Sequence, residues 1–293
     1  MSLKPQWKEP TLGLENKWGL DKNAAPPWFM VGHREIKTLL LEFGAGKIVR
    51  SVNPRIASIS DSGGGFFDIK GESPGPPTRI EVIDIATRSL EATLEVAVKR
   101  PKRQRISFHF VEDRRGDKTT HSFDKAQTVV DELNTIFTHQ TNLVFELGWI
   151  DDVKVDIDLG DVLVESVNKK NQRFSDEGTI IGKSIWRKLF ITKRDGRADF
   201  NVYFVPTEEV NNRNLTLFWD DTNCVIEDGV IEPEFILPHL IGRMYGCEPT
   251  SSPLRDHHLM FWDAGFQDAN WASMFRRRSD NFIPKRWANL MNP

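Results

Sequence analysis

The sequence predicts an α+β chain in which a β-sandwich comes first and a mixed α/β unit follows. Three observations carry that expectation. Short strand-like segments broken by Gly, Pro, Asn and Asp fill residues 31–98. A strand, a helix and further strands follow from residue 106, and a basic stretch around Pro101 separates the two regimes. The expected division is an N-terminal extension over 1–30, the sandwich over 31–98, a linker over 99–105 and the second unit over 106–293.

In the first regime the strand segments are IKTLLLEF, KIVRSV, IASIS, FFDIKG, TRIEVIDIA and ATLEVAV, separated by GAG, NP, DSGGG and SPGPP. Within TRIEVIDIA, Ile80, Val82, Ile83 and Ile85 nearly alternate with polar residues, so one face packs and the other meets water. Six or seven strands in about 70 residues point to a small sandwich of immunoglobulin-like type. The stretches NPRIAS and GGGFFDIKGESPGPPTRIEVID resemble bacterial immunoglobulin-like domains over residues 31–98. That resemblance implies a spacer or docking module with no chemistry of its own.

Lys99, Arg100, Lys102, Arg103 and Arg105 then crowd the chain around Pro101. No aromatic interleaving or Gly-rich loop accompanies them, so the stretch reads as a solvated linker ahead of a phosphate site. Beyond it, RISFHFVED is a strand with Ile106, Phe108 and Phe110 alternating. SFDKAQTVVDELNTIFTHQ carries Phe123, Ala126, Val129, Val130, Leu133 and Phe137 at helical spacing, with Ser122 placed to cap it. The strands NLVFELGW and DFNVYFVP complete a three-layer α/β pattern, with Arg197 and Asp199 read as a surface ion pair. The terminal MFRRRSDNFIPKRW reads as a helix whose cations reach to water past Phe275, Phe282 and Trp287.

The totals exclude some classes. In 293 residues, 39% apolar and 28% charged with many aromatics, there is ample buriable surface, which disordered chains lack. A net charge of -3 supplies no basic field, so no nucleic-acid partner is expected. No signal-peptide pattern and no long apolar window occur, so the expectation is a cytoplasmic chain without a membrane span, export by a route needing no cleaved signal remaining compatible. Cys224 and Cys247 read as reduced, partly buried thiols that could pair only after export.

The most specific stretch is IEPEFILPHLIGRMYG. It reads as a helix that starts near or bends at Pro238 and stops at Gly246, with His239 and Arg243 sharing a face. Glu234 reads as a first-turn acid favoured by the dipole. The segment resembles the zinc-binding helix of metzincin-type metallopeptidases, His-Glu-x-Gly-His-x-Leu-Gly, which a turn with a methionine follows. His239 falls on the first His, Leu240 on the Glu, Gly242 on the Gly, Arg243 on the second His, Tyr245 on the Leu and Gly246 on the last Gly. Met260 in HHLMF takes the place of the methionine of the turn, and ISFHFVED, LNTIFTHQTNLVFE and DFNVYFVP resemble the first strand, first helix and later strands of such enzymes. The resemblance spans about residues 103–275.

What the resemblance implies is altered by its departures. In the family the Glu is general base for a zinc-bound water and the His pair holds the metal. Leu240 accepts no proton, and Arg243 has no lone pair and carries a permanent charge. The expectation is therefore a catalytically inactive, cofactor-free metallopeptidase-like protein (a pseudoenzyme) that binds a protein or a cell-wall polymer, with Arg243 paired to Asp256 or Glu248. The alternative is an active hydrolase whose zinc is held by His239 with His257 or His258, by analogy a bacterial secreted effector. Asp256 and Cys247 lie near those residues in sequence, and Pro249 stands where the family has its third ligand.

Overall fold

A computed structural model of the chain describes residues 5–10, 19–42, 46–156, 193–206, 217–219, 221–228, 233–247 and 283–293. It is a mixed α+β protein dominated by strands. The first unit is two facing sheets. One contains β1 (Gln6–Lys8), β4 (Ile36–Glu42), β6 (Ala57–Gly63) and β7 (Phe66–Gly71) in the order β1-β4-β7-β6. The other contains β2 (Leu20–Asp21), β3 (Trp28–Gly32), β5 (Lys47–Ser51), β8 (Thr78–Asp84) and β9 (Leu90–Lys99) in the order β2-β3-β9-β8-β5.

Alternation explains the packing. Leu39, Leu41, Phe67 and Ile69 from one sheet meet Val31, Ile80, Val82, Val96 and Val98 from the other in a single apolar core. In TRIEVIDIA the inward pair is Ile80 and Val82, whereas Ile85 is exposed. Gly63, Gly64 and Gly65 all have positive φ, a conformation that only glycine adopts freely, and they turn β6 into β7. The described residues among the first thirty, expected as an extension, belong to this unit. They supply β1, β2 and most of β3, and Trp7, Leu20 and Phe29 lie in its core. Their strands are short or fully apolar, so no alternation marked them.

The second unit is a sheet of β10 (Lys102–Glu112), β11 (Leu143–Lys154), β12 (Phe200–Val205), β13 (Leu217–Trp219) and β14 (Asn223–Glu227), ordered β11-β10-β12-β14-β13. All neighbours are parallel except β13, an antiparallel edge strand. Helix α1 (Ala126–Thr141) links β10 to β11 and buries Val129, Val130, Leu133 and Phe137 against Phe108, Phe145 and Phe204. It begins later than its capping signal suggested. Ser122 precedes a 3-10 turn at Phe123–Lys125 and makes no side-chain cap bond. At the other end Asn142 takes the left-handed conformation at φ 57°, and its N–H closes on the Thr138 carbonyl. Helices α2 (Pro233–Met244) and α3 (Lys285–Met291) add Leu237, Leu240, Ile241, Trp287 and Met291 to the same core.

The two cores share a wall. Phe29 and Val31 of β3 face the sandwich, while Trp28 and Met30 face α1 and the second core. The basic stretch between the units is solvated only in part: Arg100 and Arg103 are exposed, but Lys99 ends β9 and Lys102–Arg105 begin β10. Lys99 is buried, and its ammonium donates to the carbonyls of Ala288 (3.4 Å) and Asn292. Lys102 donates to Met291 O at 3.0 Å. These lysines bind the carbonyl end of α3, where the helix dipole favours a cation. No described helix is long and apolar enough to cross a membrane.

Candidate functional site

Helix α2 begins at Pro233, where a missing N–H costs nothing, and continues through Pro238. It ends as the glycine predicts. Gly246 has φ 80°, its N–H donates to Arg243 O at 2.8 Å, and the Cys247 N–H donates to Gly242 O at 2.9 Å.

His239 and Leu240 are both buried, at 2% and 0% exposure. Leu240 belongs to the apolar core with Leu237, Ile241 and Met244, so the position of the family's base is a packed hydrocarbon. Arg243 is half-buried, and its Nη1 donates to the Cys247 carbonyl at 3.3 Å, folding the guanidinium back over the helix end. Tyr245 donates its hydroxyl to Gln104 Oε1 at 2.8 Å and lies edge-on to Phe200, with Lys102 5.1 Å from its ring centre. Burial, aided by Asp199, pushes its phenol far above the ordinary value, so it stays a neutral donor. Burial likewise pushes the Cys247 thiol up to about 12, against Arg286 and Arg243, which favours the neutral thiol. Cys224 is buried in the same core.

His257, His258 and Met260, with Glu248 and Asp256, lie outside the described residues. The zinc ion that the resemblance implies does not fit the family positions on α2, because hydrocarbon and guanidinium replace base and ligand. Among the described residues no group of three His, Cys, Asp or Glu comes together as a metal site.

A second constellation was missed in the sequence. On the sheet face turned away from α1, the alternate residues Ser107 and His109 of β10, Asn201 and Tyr203 of β12, and Asn223 of β14 are polar or aromatic and buried. His109 Nδ1 meets Asp151 Oδ1 at 2.5 Å, and Nε2 meets Asn201 Oδ1 at 2.9 Å. That amide oxygen also accepts the Asp195 N–H at 2.9 Å. Tyr203 stacks on the ring at 4.6 Å. Ser107 donates to Asp195 Oδ2 at 2.9 Å and accepts from the Trp149 N–H at 2.8 Å. Burial pushes Asp195 up, but the Arg197 N–H, the Ser107 hydroxyl, Arg105 and the Trp149 N–H together hold it below its ordinary value.

Asp195 is thus the hub of the RDGRADF segment, where an ion pair of Arg197 and Asp199 was expected. Arg197 gives its N–H to Asp195, and Asp199 exchanges main-chain and side-chain bonds with Arg105. The available signal was a polar residue at every second position of otherwise apolar strands. No nucleophile is freed by this network: Ser107 and His109 are wholly buried and each is held by two partners. It locks β10, β11 and β12 together. The chain matches no protein-family model and no curated protein.

Proposed function

We propose that the chain is a catalytically inactive, metallopeptidase-like protein that works by binding, its second unit keeping a peptidase-like frame and its first an immunoglobulin-like one. One observation carries this reading. Leu240 is fully buried in the core, and Arg243, on the face shared with His239, spends its guanidinium on the end of its own helix. Neither side chain activates water or donates a lone pair. The segments that resemble the family, at residues 106–113, 133–146 and 199–206, contain most of β10, the end of α1 with the start of β11, and β12, an order of strand, helix and strand that supports this reading.

The binding partner in this reading is a protein or cell-wall polymer. Metal analysis of the purified chain, with hydrolysis of an unstructured protein assayed with and without chelator, tests the reading. The expected result is no stoichiometric zinc and no chelator-sensitive cleavage. About one equivalent of zinc with such cleavage overturns it in favour of a site built on His239 with His257 or His258.

A further inference from the structure

Residues 283–293 lie across the seam of the two units and are held by side chains from both. Asp21 and Lys99 come from β2 and β9 of the sandwich, Lys102 and Gln140 from β10 and α1 of the second unit. Three of them are oriented by contacts that do not involve the segment. Asp21 Oδ1 accepts the N–H groups of Asn23 at 3.0 Å and Ala24 at 3.2 Å, and Oδ2 receives the Lys285 N–H at 3.0 Å. Gln140 Nε2 donates back to Ile136 O at 2.9 Å, which turns Oε1 toward the Ile283 N–H at 2.8 Å. Lys102 passes over the Tyr245 ring on its way to Met291 O.

The seat fits both ends of α3. The first N–H groups of a helix and its last carbonyls have no partner within it. Asp21 takes the N–H of Lys285, the first residue of α3, while Lys102 and Lys99 take the carbonyls of Met291 and Asn292 at its other end. An anion at the start and cations at the finish also suit the helix dipole. Between them Ile283, Trp287, Ala288 and Met291 bury one face at helical spacing. Side chains are read at two further points: Lys285 pairs with Glu95 at 2.5 Å, and Asn292 donates to the carbonyls of Thr141 and Arg100. A helix of seven residues does not hold together alone in water, so α3 forms by docking.

We propose that this seat is a peptide-binding site in its own right and that residues 283–293 are its resident ligand, docking and releasing as one unit. The ligand class is a short amphipathic helix of about two turns. Its apolar residues are spaced as Ile283, Trp287 and Met291, with a cation two residues before the tryptophan to meet Glu95. Seat side chains that are already oriented lose little freedom when such a helix arrives, which favours its capture.

Trp287→Ala in the full chain loosens the resident segment and leaves every seat residue in place. Calorimetric titration of that variant with an acetylated, amidated peptide of residues 283–293 should show saturable binding and raise the unfolding midpoint toward that of the unaltered chain. The peptide that itself carries Trp287→Ala should bind at least about tenfold more weakly, the scale of a lost tryptophan anchor. If the variant does not fold, hydrogen exchange of the unaltered chain decides. The amides of Trp287, Ala288 and Asn292, which donate to Pro284 O and Ala288 O, should then exchange together and faster than the amides of α1. Absent binding, equal binding of the two peptides, or exchange of these amides no faster than those of α1 overturns the proposal.

Discussion

At position 240 a carboxylate would have to sit among Leu237, Ile241 and Met244 with no water to reach. Leu240→Glu should therefore lower stability by about 3 kcal/mol or more, the scale of an uncompensated buried charge, whereas Leu240→Met should cost less than about 1.5 kcal/mol. Urea unfolding reads both, and an unchanged midpoint for the glutamate would mean that this side chain faces a cleft. Lys37 and Lys99 make a pH prediction. Burial lowers both to about 8 from 10.5, although Lys37 donates to Met30 O at 3.0 Å and His139 O at 2.6 Å. Above pH 8 the native amines lose their protons while the unfolded chain keeps its own, so stability rises with pH. Cys247 opposes them from pH 9 upward, because its thiol is raised from 9.0 to about 12 and the unfolded thiol ionises first. The denaturation midpoint should thus climb from pH 8 upward, less steeply above pH 9, and Lys37→Met should shrink the climb.

Among the elements, α3 is a clasp. Ile283, Trp287, Ala288 and Met291 join the second core, Lys99 and Lys102 bind the carbonyl end of the helix, and Lys285 pairs with Glu95 of β9 at 2.5 Å. Asn292 adds bonds to the carbonyls of Thr141 (2.8 Å) and Arg100 (3.2 Å). Trp287→Ala should cost about 3–5 kcal/mol, readable as a fall in the urea midpoint. The turn from β7 is as tightly fitted. A Cβ on Gly71 would lie 2.2 Å from the Gly32 carbonyl oxygen, so Gly71→Ala must push β7 away from β3. It should destabilise by about 1–3 kcal/mol, and a neutral result would show that the two sheets separate easily there.

For the molecule as a whole, β3 carries both cores on its two faces. Opening one core strips a wall from the other, so thermal unfolding followed by tryptophan fluorescence and by far-UV dichroism should give one coincident transition. Two resolved transitions would show that the units fold independently. The same sharing explains what the sequence hid. Flanking turn residues marked β4 and β7, and alternation marked β8 and the helix face of β10, because each of these has one wet or clearly distinct face. It could not mark β3, WFMVG, which is buried throughout, nor reveal that Lys99 and Lys102 serve a helix end far along the chain. At the candidate site the stop at Gly246 and the face shared by His239 and Arg243 were legible from spacing, while the roles of positions 239, 240 and 243 were read only through the resemblance to a metallopeptidase helix. The His109 network was not, since Asp195 and Asn201 meet His109 and Ser107 only when β10 and β12 pair.

Periodicity and turn chemistry, being local, determined from the sequence the strand-rich first unit, the helix α1, the end of α2 and the chemical poverty of positions 240 and 243. Tertiary structure decided which strands are neighbours, that the two units share a wall, and that Lys99 and Lys102 turn against helix carbonyls. Such facts depend on pairing between residues distant in sequence, and the energy of a buried charge or an uncovered edge is set by the partner the fold brings to it.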